Sequence, residues 1–145
     1  MKFGFTIYTS VKFGPWKIPH RGQTYILNHY ANIKNIKVSY QFSSDFLFDL
    51  FENLKSIVLK LNKEKIVFIF SSVNQLSFFL KDKKKFINFL KNYEVHFALE
   101  LKNGKGKKFL ENSFNELETF SKIKVLNMKK IKSYSDLYKE FKNKI

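Results

Sequence analysis

The run Ile66-Val67-Phe68-Ile69-Phe70 contains no polar residue, so as a strand it has no face to offer water. Such a strand has to be covered on both sides, which is the condition at the centre of a parallel sheet flanked by helices. Its neighbours fit that frame. Phe3 to Thr9 is a short apolar, aromatic and β-branched run, and Ile36 to Phe42 alternates strictly, as a strand with one buried face at a sheet edge does. Glu94 to Glu100 reads as a fourth strand. Asn103-Gly104-Lys105-Gly106 breaks the pattern, and Ile123 to Asn127 reads as a short fifth strand.

Helices are expected between these strands. From Arg21 to Ile33 the residues Tyr25, Ile26, His29, Tyr30 and Ile33 recur at three- and four-residue steps, predicting an amphipathic helix with those side chains inward. Ser43-Ser44-Asp45 offers caps for a second helix over 46–61, with Phe48, Leu50, Phe51, Leu54, Val58 and Leu61 near its inner face. Ser72 and Gln75 stand at the spacing of a capping box, opening a helix to about Asn92. Further helices are expected from about Lys108 to Phe120 and after Ser133. Strands alternating with helices make right-handed βαβ units. The simplest product is one α/β domain over residues 1–145: a three-layer sandwich on a mostly parallel sheet of about five strands, in the flavodoxin-like order 2-1-3-4-5. Ligands of such sheets bind at the carboxyl ends of the strands, where the winding reverses between strands 1 and 3.

Composition narrows the function classes. No apolar run approaches the roughly 18–20 residues of a membrane span, and the start, Met1-Lys2-Phe3-Gly4-Phe5, enters a strand pattern directly, so a cytoplasmic protein is expected. Without cysteine there is no disulfide or thiolate nucleophile, and His20, His29 and His96 have no metal-ligand spacing, so no metal site is predicted. No G-x-G-x-x-G or P-loop follows the first strand, and no cofactor is expected. The formal charge of +15 invites a nucleic-acid reading, but all basic residues except Arg21 are lysine. The bidentate contacts of arginine to bases and phosphates are therefore nearly absent, and the lysines read mainly as solvated helix faces.

The topology selects the candidate residues. The first loop brings Thr9, Ser10, Lys12, Trp16, Arg21 and Gln23, the second strand ends at Ser43, and the third loop brings Ser71, Ser72 and Asn74. These are the expected ligand-binding set. Thr9 and Ser10 are candidate nucleophiles if His20 or His96 supplies a base, and Glu100 and Asp45 are candidate acids or bases. Each has a structural alternative: hydroxyls cap strand ends, a strand histidine is satisfied in the core, and Asp45 suits a helix N-terminus.

Ile18-Pro19-His20-Arg21-Gly22-Gln23, Asn28-His29-Tyr30, Ser39-Tyr40-Gln41-Phe42-Ser43, Phe70-Ser71-Ser72 and the strand Glu94 to Glu100 together resemble the sporadic carbohydrate cluster protein family, over roughly residues 4 to 100. Members are short bacterial proteins encoded among genes for lipopolysaccharide, O-antigen or other surface glycans. The resemblance implies a pathway rather than a reaction. More distantly, the outline is similar to the N-terminal domain of serine recombinases (resolvases), in which a Tyr-x-Arg-x-Ser strand end supplies the nucleophile. Here Ile7 stands in the arginine's place, Thr9 or Ser10 near the nucleophile's, and Ser71 to Gln75 contains no arginine. That likeness implies a fold without the chemistry of strand exchange.

The expectation is thus a protein of surface-polysaccharide biosynthesis handling a sugar, nucleotide sugar or acidic glycan intermediate at the crevice between strands 1 and 3. Two alternatives stay open. One is a non-catalytic, oligomerising partner of a glycan enzyme, docking through exposed aromatics, since 18 phenylalanines are many for a core this size. The other is lysine-driven nucleic-acid binding.

Overall fold

The computed structural model describes residues 1–10, 12–14, 16–49, 52–53 and 62–122, with 133, 135–136 and 139. Their sheet has five strands: β1 (Lys2–Tyr8), β2 (Ile36–Ser43), β3 (Ile66–Phe70), β4 (Glu94–Phe97) and β5 (Lys102–Lys105), in the order β2-β1-β3-β4-β5. The first three contacts are parallel and β4–β5 is antiparallel. The helices are α1 (His20–Ile33), a 3-10 helix (Val73–Asp82) running into α2 (Lys83–Leu90), and α3 (Lys107–Lys122).

Every side chain of β3 is buried, as its unbroken apolar run requires. Val67 and Ile69 pack with Leu27, Tyr30 and Ala31 of α1, together with Ile36 and Ala98. Ile66, Phe68 and Phe70 belong to a larger cluster with Phe5, Val95, Phe97 and residues of the 3-10 helix, α2 and α3. Rings interlock there: Phe79 and Phe86 lie 4.9 Å apart, Phe86 and Phe114 5.5 Å, and Phe70 and Phe97 5.7 Å. Phenylalanine thus fills the core, and among the described residues Phe78 is the one exposed phenylalanine, beside Tyr25, Ile33, Leu101 and others.

Strict alternation in β2 predicted one buried face, and the structure corrects this. Gly4 pairs with Val38 but Phe5 with Tyr40, so Ser39 is an extra residue, a bulge in a parallel pair. Ile36 and Val38 pack on the α1 side. Beyond the bulge Tyr40 and Phe42 turn to the other face, stacking on Phe5 at 5.3 and 6.1 Å.

The stretch expected to break after the fourth strand instead forms β5. Leu101, at φ 53, completes the turn from β4. The sequence Lys-Asn-Gly-Lys has little strand propensity, and the strand is held by pairing with β4 and by the Phe109 ring covering Gly104. A Cβ at Gly104 would lie 2.3 Å from that ring.

The inward face of α1 is also displaced from expectation. Gln23, Leu27, Tyr30 and Ala31 are buried, while Tyr25 and Ile33 are 72% and 66% exposed. The buried stripe at i, i+4, i+7 and i+8 includes a glutamine and an alanine that an apolar count passes over. The helix expected over 46–61 begins as a 3-10 turn (Ser44–Phe46) with helical backbone at 47–49 and 52–53, and its remainder lies outside the described residues. The strand expected at 123–127 lies outside them too, as does most of the last helix, where the Asp136 N–H donates to Ser133 Oγ at 3.3 Å. Among the described residues no helix is long and apolar enough to cross a membrane.

Gly104→Ala should cost about 1–3 kcal/mol by overpacking against Phe109. In a urea-denaturation cycle with Phe109→Ala, the double variant should be more stable than the two single losses added together, because the second change removes the clash made by the first.

Candidate functional site

Because β1, β2 and β3 are parallel, their carboxyl ends form one edge, where Thr9, Ser10, Ser43, Ser71 and Ser72 all emerge. Gln23 organises it. This side chain is fully buried in the first turns of α1. Its Oε1 accepts from the Thr9 N–H at 2.9 Å and the Ser71 hydroxyl at 3.1 Å, and its Nε2 donates to the carbonyls of Thr9 at 2.7 Å and Ile18 at 2.8 Å. One amide therefore ties the exit of β1, the entry to α1 and the exit of β3. With both ends of the amide occupied, Gln23 positions the edge rather than facing a ligand. Gln75 adds a second tie, donating to the Ile7 carbonyl at 3.1 Å while accepting from the Ser72 N–H at 3.2 Å.

Two polar groups stand on this frame. At the β1–β2 side, Asp45 Oδ2 accepts from Ser10 Oγ at 3.2 Å and Ser43 Oγ at 3.3 Å, and the Asp45 N–H donates back to Ser43 Oγ. All three are at the surface side of the edge. At the β3–β4 side, Ser72 Oγ donates to Glu100 Oε1 at 2.6 Å and accepts from the backbone and side-chain nitrogens of Asn74, each at 3.1 Å. The Val73 N–H reaches the same Glu100 oxygen at 2.5 Å. The expected capping box of Ser72 and Gln75 is present, and Ser72 serves both it and Glu100.

The first loop lies over the second group. Phe13 and Trp16 form a two-way backbone bridge at 3.0 Å, with Phe13 buried and Trp16 41% exposed. Gly14 turns at φ 58 directly against Asn74, whose side chain would meet a Cβ there at 2.5 Å. Only glycine makes that approach without strain. Lys12 and Arg21 are exposed. His20 stacks on Tyr8 at 4.0 Å, and its Nε2 accepts from Gln41 Nε2 at 3.3 Å.

His96 does not join this edge. It pairs with Ile69 inside β4, and both ring nitrogens are engaged, Nδ1 by Tyr30 Oη and Nε2 by Glu94 Oε1, each at 2.7 Å. Burial lowers the His96 pKa, outweighing the opposing effect of Glu94. Burial also opposes ionisation of Glu94, but hydrogen bonds from Lys2 and His96 prevail and hold its carboxyl low. Burial, with the Glu94 charge, raises the Tyr30 phenol. A neutral imidazole donating to Glu94 and accepting from Tyr30 satisfies all three, so His96 belongs to the packing of α1 on the sheet.

Glu100 is different. Burial pushes its carboxyl up despite the hydrogen bonds from Ser72 and Val73, and the negative charge of Glu116 adds to the rise. Its Oε2 is buried with no hydrogen-bond partner among the described residues. A carboxyl in this setting favours its protonated form and serves as a proton donor more readily than an exposed one. Asp45 presents the complementary chemistry, an acceptor for two serine hydroxyls. Among the described residues no three histidine, aspartate or glutamate side chains cluster to hold a metal.

The sequence marks Asp45 as an acid–base candidate or a helix-start residue, but its bond to Ser10 spans 35 residues and leaves no local signal. Comparisons of the chain with protein-family models, with curated proteins and with solved structures find no match.

Gln23→Leu should cost about 2–4 kcal/mol in urea denaturation, since it strands buried groups of Thr9, Ile18 and Ser71. Gln23→Glu, of the same shape, should be nearly as costly because it cannot donate to the two carbonyls. For Glu100, a folded pKa raised above the unfolded one contributes stability below the ordinary carboxyl range, and this is lost as pH rises through the folded value. Glu100→Gln keeps the acceptor for Ser72 and Val73 without the charge. Its stability relative to the parent should therefore increase between about pH 4 and about pH 7 in thermal melts.

Proposed function

We propose that this chain is a three-layer α/β protein of flavodoxin or resolvase type that binds a sugar, nucleotide sugar or acidic glycan intermediate at the carboxyl edge of its sheet, in cytoplasmic steps of bacterial surface-polysaccharide synthesis. One observation carries the reading. Asp45 gathers Ser10 and Ser43, and on the next strands of the same edge Ser72 gathers Asn74 and Glu100. Vicinal hydroxyls of a pyranose donate and accept at close spacing, and carboxyl, amide and serine groups held by a rigid frame match that demand. Lys12 and Arg21, both exposed beside the edge, supply cations for an acidic substituent. The likeness to the sporadic carbohydrate cluster family supplies the pathway, and Glu100 and Ser10 are the residues through which any proton transfer or nucleophilic step would run.

A second reading, a non-catalytic partner of a glycan enzyme, is favoured by the outward face of α1, where Tyr25 stacks parallel to His29 at 6.0 Å and Ile33 is exposed. Nucleic-acid binding has less support, because Arg21 is the sole arginine in the sequence and the bidentate contacts that residue makes to bases and phosphates are otherwise absent.

A thermal-shift screen against nucleotide sugars and sialic-acid-like sugars tests the proposal. At least one should raise the melting temperature by about 2–4 °C at saturating concentration, and Asp45→Asn or Ser10→Ala should abolish the shift. If none responds, sugar binding at this edge is wrong and the partner reading takes its place.

A further inference from the structure

A concavity of about 500 Å3 lies between α2 and α3, and none of the described residues lining it belongs to the sheet edge. Among the described residues its walls carry three ammonium groups, Lys83, Lys84 and Lys107, against a single carboxylate, Glu111, with the amides of Asn88 and Asn115 as further hydrogen-bonding groups. Glu111 offsets at most one of the lysines: its nearest is Lys107, at 3.8 Å, the loose spacing of an i, i+4 pair on a helix surface. The groove therefore retains a surplus of positive charge in a concave site, where low-dielectric walls focus the field more than on a convex surface.

The frame is held from below. Phe86 and Phe114, both fully buried, meet edge to face at 5.5 Å, and Ile87 is almost wholly buried in the floor. Lys83 is partly buried, with its ammonium 5.3 Å from the centroid of the Phe114 ring, so this cation is positioned over the core rather than left on a free arm. Helix surfaces in this chain are rich in lysine throughout, but here the lysines converge on a cavity of the size that small-molecule sites occupy.

We infer that this groove binds a compact oligophosphate anion, either inorganic or as the phosphate chain of a nucleotide. Lysine engages phosphate as a point charge without needing the fork of arginine. Among the described residues no aromatic ring lines the groove to stack a base, so the phosphates carry recognition. This site stands apart from the sugar-binding proposal and does not depend on it.

Isothermal titration of the full chain with inorganic tripolyphosphate, and in parallel with a nucleoside triphosphate, at near-physiological ionic strength tests the inference. Tripolyphosphate should bind one saturable site. Lys84→Gln/Lys107→Gln should weaken it by about tenfold or more through the loss of two charge-assisted contacts, whereas Glu111→Gln should tighten it. Equal affinity for the two ligands would assign recognition to phosphate alone, and tighter nucleotide binding would name the nucleotide as the source; both agree with the inference. It is overturned by absence of binding, by unchanged affinity in the double lysine variant, or by an equal loss in Lys34→Gln/Lys37→Gln, which would reduce the effect to general charge. Asp45→Asn should leave tripolyphosphate binding intact, so failure of the sugar proposal and failure of this one read out separately.

Discussion

The buried amide of Gln23 is the point on which the upper edge of the sheet depends. Three chain segments arrive there with backbone or hydroxyl groups that have left the sheet's own ladder, and all are buried or partly so. An unsatisfied polar group in that position is costly, whereas a fully bonded one specifies a single arrangement. Because one side chain satisfies groups from β1, from the start of α1 and from β3, it fixes the spacing of Ser10 and Ser72 without approaching either. The hydroxyls and carboxyl groups of the edge are thus arranged by a residue that takes no part in their chemistry.

Beneath the edge, β3 supplies the mechanical centre. Its side chains divide between the α1 cluster and the phenylalanine-rich cluster. Interlocked rings occupy large volumes with few rotatable bonds, so the second cluster gains much apolar burial for a modest loss of side-chain entropy. The same cluster forms the base of the lysine groove, and the two candidate sites share this support while differing in chemistry.

What was legible in the sequence was local or strongly periodic. The apolar run of β3 and the order of the first four strands followed from pattern alone, and the capping box of Ser72 and Gln75 needs only a four-residue window. The inward face of α1 was misread because Tyr25 and Ile33 look like core residues and Gln23 looks like a surface one. Burial of Gln23 is rewarded only by partners 14 and 48 residues away. β5 was illegible because pairing and the ring of Phe109, rather than propensity, hold its four residues in a strand. The pairing of Asp45 with Ser10 requires the β1–β2 register, including the bulge, before it can be seen. The alternation of β2 carried no sign that the chain shifts by one residue at Ser39.

That shift bears on how the protein avoids its own copies. A flat, regular outer strand is a template on which another molecule can extend the sheet, the first step towards fibrous aggregates. In β2 the extra residue increases local twist and breaks the repeat of free donors and acceptors. On the opposite margin β5 is only four residues long and begins and ends with lysine. Among the described residues both margins of the sheet are thereby poor templates, which suits a chain whose interior is made of aromatic and β-branched segments prone to self-assembly when exposed.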